Sequence, residues 1–320
     1  MADQAYRLRK LAELAGRSDS ALADRRAGVE RDIAADRQMR TSSSGLRRTR
    51  VMAITSGKGG VGKTNIVANL AISLSEAGMR VLVVDADLGL ANVDVLLGLY
   101  PRYNLGHVVQ GQKSLEEVII NGPAGIRIIP GASGLQDLAQ MDAGRRHALL
   151  SDLVSLEEQA DLVLIDTGAG LSSSVMDFVV SSDEAVIVTT PEPTAIADAY
   201  AMIKVLSQTD SDVYIRLLVN QARSESEAEQ VADQILSVAR RFLNVHVDNL
   251  GYVLVDVAVQ RSVRAQKPFV LLYPHSSASE CIRAAARRLV TGRSSPVAPS
   301  GIAGFIRRML SAIGGRYVES

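Results

Sequence analysis

The run Ser56-Gly57-Lys58-Gly59-Gly60-Val61-Gly62-Lys63-Thr64 places glycines, lysines and a threonine at spacings that suit phosphate chemistry. Glycines let consecutive backbone N–H groups converge on phosphate oxygens, and a helix N-terminus behind them adds positive partial charge. In such a loop Lys63 reaches the β- and γ-phosphates and the Thr64 hydroxyl takes a place on Mg²⁺. The flanks fit this chemistry. Val51-Met52-Ala53-Ile54-Thr55 is a strand-like apolar run, and residues 65–77 have helical apolar spacing. A Gly-rich surface turn carrying a lysine would need neither flank. A nucleotide site is expected, lined by Gly57, Lys58, Gly59, Gly60, Val61, Gly62, Lys63 and Thr64.

Two further apolar runs end in carboxylates. Val81-Leu82-Val83-Val84 leads into Asp85-Ala86-Asp87, and Leu162-Val163-Leu164-Ile165 leads into Asp166-Thr167-Gly168-Ala169-Gly170. A strand ending in Asp puts a carboxylate at the carboxyl edge of a sheet, where open α/β sheets bind ligands. Mg²⁺ takes few protein ligands and keeps several waters, so one or two such groups suffice. Asp166 reads as the Walker B carboxylate. A strand-end Asp can also be a helix cap or a turn residue; the phosphate loop upstream favours the metal reading.

The elements that must position these groups alternate. Strand-like runs at 51–55, 81–85, 126–130, 162–166, 185–190, 213–220 and 250–255 are separated by helical patterns such as 196–208 and 225–243. Apolar strands interleaved with helices imply a three-layer α/β domain, a mostly parallel sheet covered on both faces.

The 320 residues carry 35 basic and 35 acidic side chains, and the balance hides an asymmetry. Residues 1–50 have a net charge of +5 and residues 283–320 of +6, which leaves −11 for the middle. An acidic body does not suit DNA tracking, whereas basic ends suit an acidic partner or a membrane surface. The single cysteine, Cys281, excludes an intrachain disulfide and counts against an iron–sulfur reductase, so a reducing cytoplasm is expected. There is no signal-like apolar core at the N-terminus and no apolar run of about 18 residues. The four histidines show no metal spacing.

Both ends read as extensions of a central domain at 49–292. Residues 1–48 hold a short helical pattern with Asp3 as cap and Leu8, Leu11 and Ala15 on one side, followed by a charged, flexible linker. After the linker Arg293-Ser294-Ser295-Pro296-Val297-Ala298-Pro299-Ser300, Ile302, Phe305, Ile306, Met309, Leu310 and Ile313 recur as one helical stripe flanked by Arg307 and Arg308, and Gly314-Gly315 is expected to end it. Spacing alone allows a helix packed on the domain or one laid on lipid; the linker and the arginines favour lipid.

The loop with its extra lysine, Gly57-Lys58-Gly59-Gly60-Val61-Gly62-Lys63-Thr64, resembles the deviant Walker A motif of the MinD/ParA ATPases, which implies a P-loop NTPase fold of the SIMIBI type. In that family the extra lysine, here Lys58, reaches across an ATP-bound homodimer to the partner's nucleotide. The resemblance makes Lys58, Lys63, Asp87 and Asp166 the catalytic set, with Asp87 on the attacking water. It places Thr64, Asp85 and Asp166 around Mg²⁺ and Asn220 on adenine, with ATP favoured over GTP. It makes residues 88–94 and 168–170 the two switches and puts 189–194 on the dimer face. Asp256 falls in the base-proximal loop, but Val255 replaces the proline expected before it, so Asp256 is left out of the site. Asp3-Gln4-Ala5 with Leu8-Arg9 resembles the N-terminal signature of the FlhG group of flagellar regulators. That implies control of flagellar number and placement, docking on and stimulation of an FlhF-like GTPase, and inner-membrane binding by residues 301–314. Flagellar switch (C-ring) proteins or a flagellar transcriptional regulator are further implied partners, and direct DNA binding is not expected. A MinD-type division-site ATPase, a ParA-type DNA-segregation protein and an ATP binder without turnover are the rival readings.

Overall fold

The computed structural model describes residues 48–87, 93–131, 143–209, 212–291 and 298–319. Strand β1 (Arg50–Ser56) passes through the glycine loop into helix α1 (Lys63–Glu76), then β2 (Val81–Ala86). Three short helices follow: α2 (Val93–Leu96), α3 (Leu105–Val109) and α4 (Leu115–Val118). A hairpin of β3 (Ile120–Asn121) and β4 (Arg127–Ile129) leads to α5 (Ala143–Ser155), β5 (Leu162–Ala169) and α6 (Ser173–Ser181). Next come β6 (Glu184–Thr189), α7 (Pro193–Gln208), β7 (Tyr214–Ala222), α8 (Glu225–Val238) and β8 (Val247–Leu254). The chain finishes with α9 (Val257–Arg264), α10 (Phe269–Leu272), α11 (Ser277–Thr291) and α12 (Gly301–Glu319).

The strands form one sheet in the order β3-β4-β2-β5-β1-β6-β7-β8, parallel except for the edge strand β3. β1 is central, between β5 and β6, and its residues from Val51 to Ser56 are all buried. Alternate residues feed opposite layers. Met52 and Ile54 pack with Leu70 of α1 and Ile282 of α11. Val51 joins Phe178 of α6 and Phe305 of α12, and Ala53 joins Met202 of α7 and Ile235 of α8. Burial on both faces is why these strands read as continuous apolar runs.

Every strand-like run of the sequence is a strand here, with shifted ends. β5 and β7 continue past Asp166 and Asn220 to Ala169 and Ala222, because pairing with β1 and β8 carries on beyond the apolar segment. The helical pattern at 225–243 divides into α8 and a π turn over Ala239–Leu243, closed by Asn244 at φ +52°. The β3 edge was not expected, since two residues leave no period to read.

The tail differs most from its expectation. The stripe assigned to lipid lies inside the domain: Ile302, Phe305, Ile306, Met309 and Ile313 are buried in the layer that holds Leu153 and Phe178. Polar bonds fix the start of α12. One Asp183 oxygen accepts from the Ser300 N–H at 3.0 Å, the Ser300 hydroxyl at 2.6 Å and Arg308 Nη2 at 3.0 Å, and Arg308 Nε donates to the Ser181 carbonyl at 2.8 Å. Under the helix remains an apolar cavity of about 40 Å³ bounded by Val51, Leu82, Val163, Ile302, Phe305 and Ile306. Gly314 and Gly315 do not end the helix, which runs to Glu319. A glycine inside a helix costs roughly 1 kcal/mol against alanine, too little to force a stop. Among the described residues no helix is long and apolar enough to cross a membrane. The N-terminal signature, most of the first switch (88–92) and the loop at 132–142 lie outside the described residues.

Candidate nucleotide-binding site

β1 ends at the middle of the sheet's carboxyl edge, so the loop after it is delivered between β5 and β6. Gly62 takes φ +94°, the left-handed turn that starts α1. Gly57 permits a close approach: a Cβ there would stand 2.5 Å from the Asp198 carbonyl oxygen of α7. The N-terminus of α1 has no side-chain cap and no acidic residue in its first turn. Its uncapped N–H groups and partial positive charge therefore suit an anion.

Lys63 is 8% exposed, and its Nζ donates to the Ser56 hydroxyl at 3.0 Å. Burial lowers the pKa of Lys63, while the charges of Asp166 and Asp87 hold it up. Asp166 is 1% exposed, and the Thr64 hydroxyl is its donor neighbour, at a geometry short of a full hydrogen bond. Burial pushes its pKa up to about 7; the Thr64 hydroxyl and Lys63 pull it down, and Asp85 and Asp87 add to the rise. A buried carboxylate short of donors is costly unless something else satisfies it. The donor set of Thr64, Asp166 and Asp85 consists of oxygens only, which is the chemistry Mg²⁺ takes. The site fits that ion.

Asp85 accepts from a backbone N–H on either side of residues 88–92. Its Oδ1 accepts from the Asp87 N–H and its Oδ2 from the Val93 N–H, each at 3.3 Å. Asp87 follows β2, and its Oδ1 lies 3.7 Å from where a Cβ on Gly168 would be. The two carboxylate-bearing strand ends thus meet at the second switch. Asp85 pairs in register with Asp166 across β2 and β5.

Asn220 reaches the loop itself: its Nδ2 donates to the Val61 carbonyl at 2.7 Å. The carboxamide oxygen is then the group suited to an adenine amino donor. Asp256 spends both oxygens on the fold, accepting from Ala258 N–H at 2.8 Å and Ala278 N–H at 3.1 Å.

The structure thus brings Lys63, Thr64, Asp85, Asp87 and Asp166 together and sets Asn220 behind the loop. Lys58 sits apart from the carboxylates. Its Nζ pairs with Glu192 at 2.5 Å and donates to Thr194 Oγ1 at 3.0 Å, both at the start of α7. Sequence reasoning gave Glu192, Thr194 and Ser56 no individual role. Glu192 lies between Pro191 and Pro193 and was legible only as part of a rigid turn, and Ser56 only as the residue before the glycines.

Residues 49–218 match a family described as AAA domain. The chain is 38% identical over 266 residues to the antiactivator FleN of Pseudomonas aeruginosa, covering 83% of this chain and 95% of FleN. It is 35% identical over 270 residues to the flagellum site-determining protein YlxH of Helicobacter pylori, covering 83% and 91%. Among solved structures, the septum site-determining protein MinD of Pyrococcus horikoshii complexed with Mg-ADP superposes with TM-score 0.61 at 29% identity, over 76% of this chain and 96% of that one. On the deviant phosphate loop, the paired strand-end carboxylates and these likenesses, the chain belongs to the MinD/ParA family of P-loop ATPases, in its FleN/YlxH branch.

Proposed function

We propose that the chain binds ATP at the loop 57–64, hydrolyses it to ADP and phosphate, and uses the cycle to set the number or placement of bacterial flagella. The observation that carries the chemistry is Asp166, a carboxylate buried beside Lys63 and Thr64 whose pKa burial raises to about 7. Such a carboxylate suits the divalent cation that a triphosphate brings with it. The flagellar part comes from the likeness to FleN and YlxH.

In this reading the uncapped N-terminus of α1 and the loop N–H groups cradle the phosphates, and Lys63 neutralises the β- and γ-oxygens. Thr64 and Asp166, with Asp85 in support, would hold Mg²⁺, which supplies charge neutralisation on the transferred phosphoryl group. Asp87 orients or deprotonates the attacking water. Asn220 takes the adenine edge, and Lys58, released from Glu192, contacts the triphosphate of a second protomer. Rate enhancement then comes from positioning and preorganised charge.

The N-terminal segment would act on an FlhF-like GTPase, and α12 would bind the inner face of the cell membrane when it leaves the domain. Switch-complex proteins and a flagellar transcriptional regulator remain proposed partners.

The test has two arms. Phosphate release with Mg-ATP, together with light scattering, should show turnover and a doubled mass with ATP but not ADP. Deletion of the gene should change flagellar number or position. A mass independent of ATP would overturn the dimer, and a division-site defect with normal flagella would favour the MinD-type role.

A further inference from the structure

Ser56 closes β1 and is completely buried. Its hydroxyl accepts from Lys63 Nζ at 3.0 Å and donates to the Lys58 carbonyl at 2.7 Å. Its own carbonyl accepts from the Gly170 N–H at 2.8 Å, at the far end of the second switch. That last bond is possible because β5 bulges. Ile54 pairs with Asp166, but Ser56 pairs with Ala169, so β5 holds one residue more than β1 in this stretch. One small side chain and its backbone therefore touch both motif lysines and the segment that follows Asp166.

The consequence concerns a pair that does not form. Asp166 pairs with Ile54, two residues before Ser56, and both its oxygens are buried, yet the Lys63 ammonium is spent on Ser56 and not on them. Without that acceptor, the buried ammonium would have no hydrogen-bond partner and would be drawn to the Asp166 carboxylate in a low-dielectric site. Such a pair would withhold the cation from the phosphates.

We propose that Ser56 is a positioning residue of the phosphate site: its hydroxyl keeps Lys63 off Asp166, so that both stay available to the incoming nucleotide, and at the same time ties down the Lys58 backbone. A hydroxyl is suited to this because it accepts from the ammonium and donates to the carbonyl at once. Alanine at this position keeps the strand and the Gly170 bond but loses both side-chain bonds.

The inference rests on the nucleotide reading above. If the wild-type protein does not bind ADP, that reading fails rather than this one. The experiment is a double-mutant cycle read by calorimetric titration of ADP in EDTA, so that no metal and no turnover enters. Ser56→Ala should weaken ADP binding about fivefold to tenfold, and Ser56→Thr should restore it to within about twofold. In an Asp166→Asn background, which removes the carboxylate that Lys63 is held away from, Ser56→Ala should change the affinity by less than about twofold. ADP affinity unaltered by Ser56→Ala, or an equal loss in both backgrounds, would overturn the proposal, because a merely structural role is blind to Asp166. Should Ser56→Ala not fold, Ser56→Cys keeps the volume with weaker bonds and is judged by the same criteria.

Discussion

Lys58 is held by Glu192 of its own chain, ammonium to carboxylate at 2.5 Å, with Thr194 as a second acceptor. The lysine proposed to reach a neighbouring protomer is thus already occupied in the single chain. Glu192 competes with any phosphate for it. The two side chains are 38% and 63% exposed, and exposed ion pairs contribute little and are screened by salt. The competition should be a mild brake rather than a lock. Glu192→Gln should raise the dimer fraction at subsaturating ATP about twofold to fivefold in low salt, and the gain should shrink at high salt. Light scattering across an ATP series checks this; a dimer fraction that falls would mean that Glu192 supports the assembled state instead.

In the proposed mechanism Asp87 acts on water rather than on binding, and its Oδ1 lies against Gly168 near the end of β5. Asp87→Ala should lower the rate of phosphate release by roughly 10²–10⁴, the usual range for removal of a positioned general base. Its Mg-ATP affinity should stay within a few-fold. A rate loss matched by an equal loss of affinity would reassign Asp87 to binding.

How much of this was legible in the sequence follows from how local each signal is. The loop 56–64 and the carboxylates after β2 and β5 could be read because strand, turn and helix are encoded within about twenty residues of one another. The Lys58–Glu192 contact joins positions 134 apart, and the Ser56–Gly170 bond depends on a bulge in β5 that no periodicity marks. The tail stripe was read correctly as one helical face, but not its counterpart. Ile302, Phe305 and Ile306 have the same spacing whether they meet acyl chains or Leu153 and Phe178. Charge was no better guide: Arg308, on the flank of the stripe, is spent on Ser181, Ser300 and Asp183 in this docked state.

The buried Asp166 carboxylate, whose desolvation outweighs what Thr64 and Lys63 give back, should be a liability to the nucleotide-free protein. Asp166→Asn removes the charge and keeps the shape, so the apo protein should melt roughly 2–6 °C higher. The same variant should lose the extra stabilisation that Mg²⁺ adds to ADP, since binding to the folded state is what raises the melting temperature. In the wild-type protein EDTA should remove that same increment. Thermal denaturation with ADP, Mg-ADP and EDTA tests both halves. An apo variant that melts lower would show that Asp166 contributes to the fold rather than being held in reserve for a ligand.

The docking of α12 can be tested from the domain side without touching the helix. One Asp183 oxygen takes Ser300 and Arg308, and the other takes the Val51 N–H at 3.0 Å, so it ties the tail to the central strand. Asp183→Ala should loosen the start of α12 while the apolar layer and the rest of the sheet persist. The cavity of about 40 Å³ under Phe305 and Ile306 means that the helix is seated on incomplete packing, which lowers what must be given up when it leaves. The variant should therefore sediment with vesicles containing anionic phospholipid in the absence of ATP, several-fold more than the wild type. Adding Phe305→Asp should abolish that gain by spoiling the apolar face. If Asp183→Ala frees the tail to proteolysis yet binds no vesicles, the stripe is a core element alone and the lipid role falls.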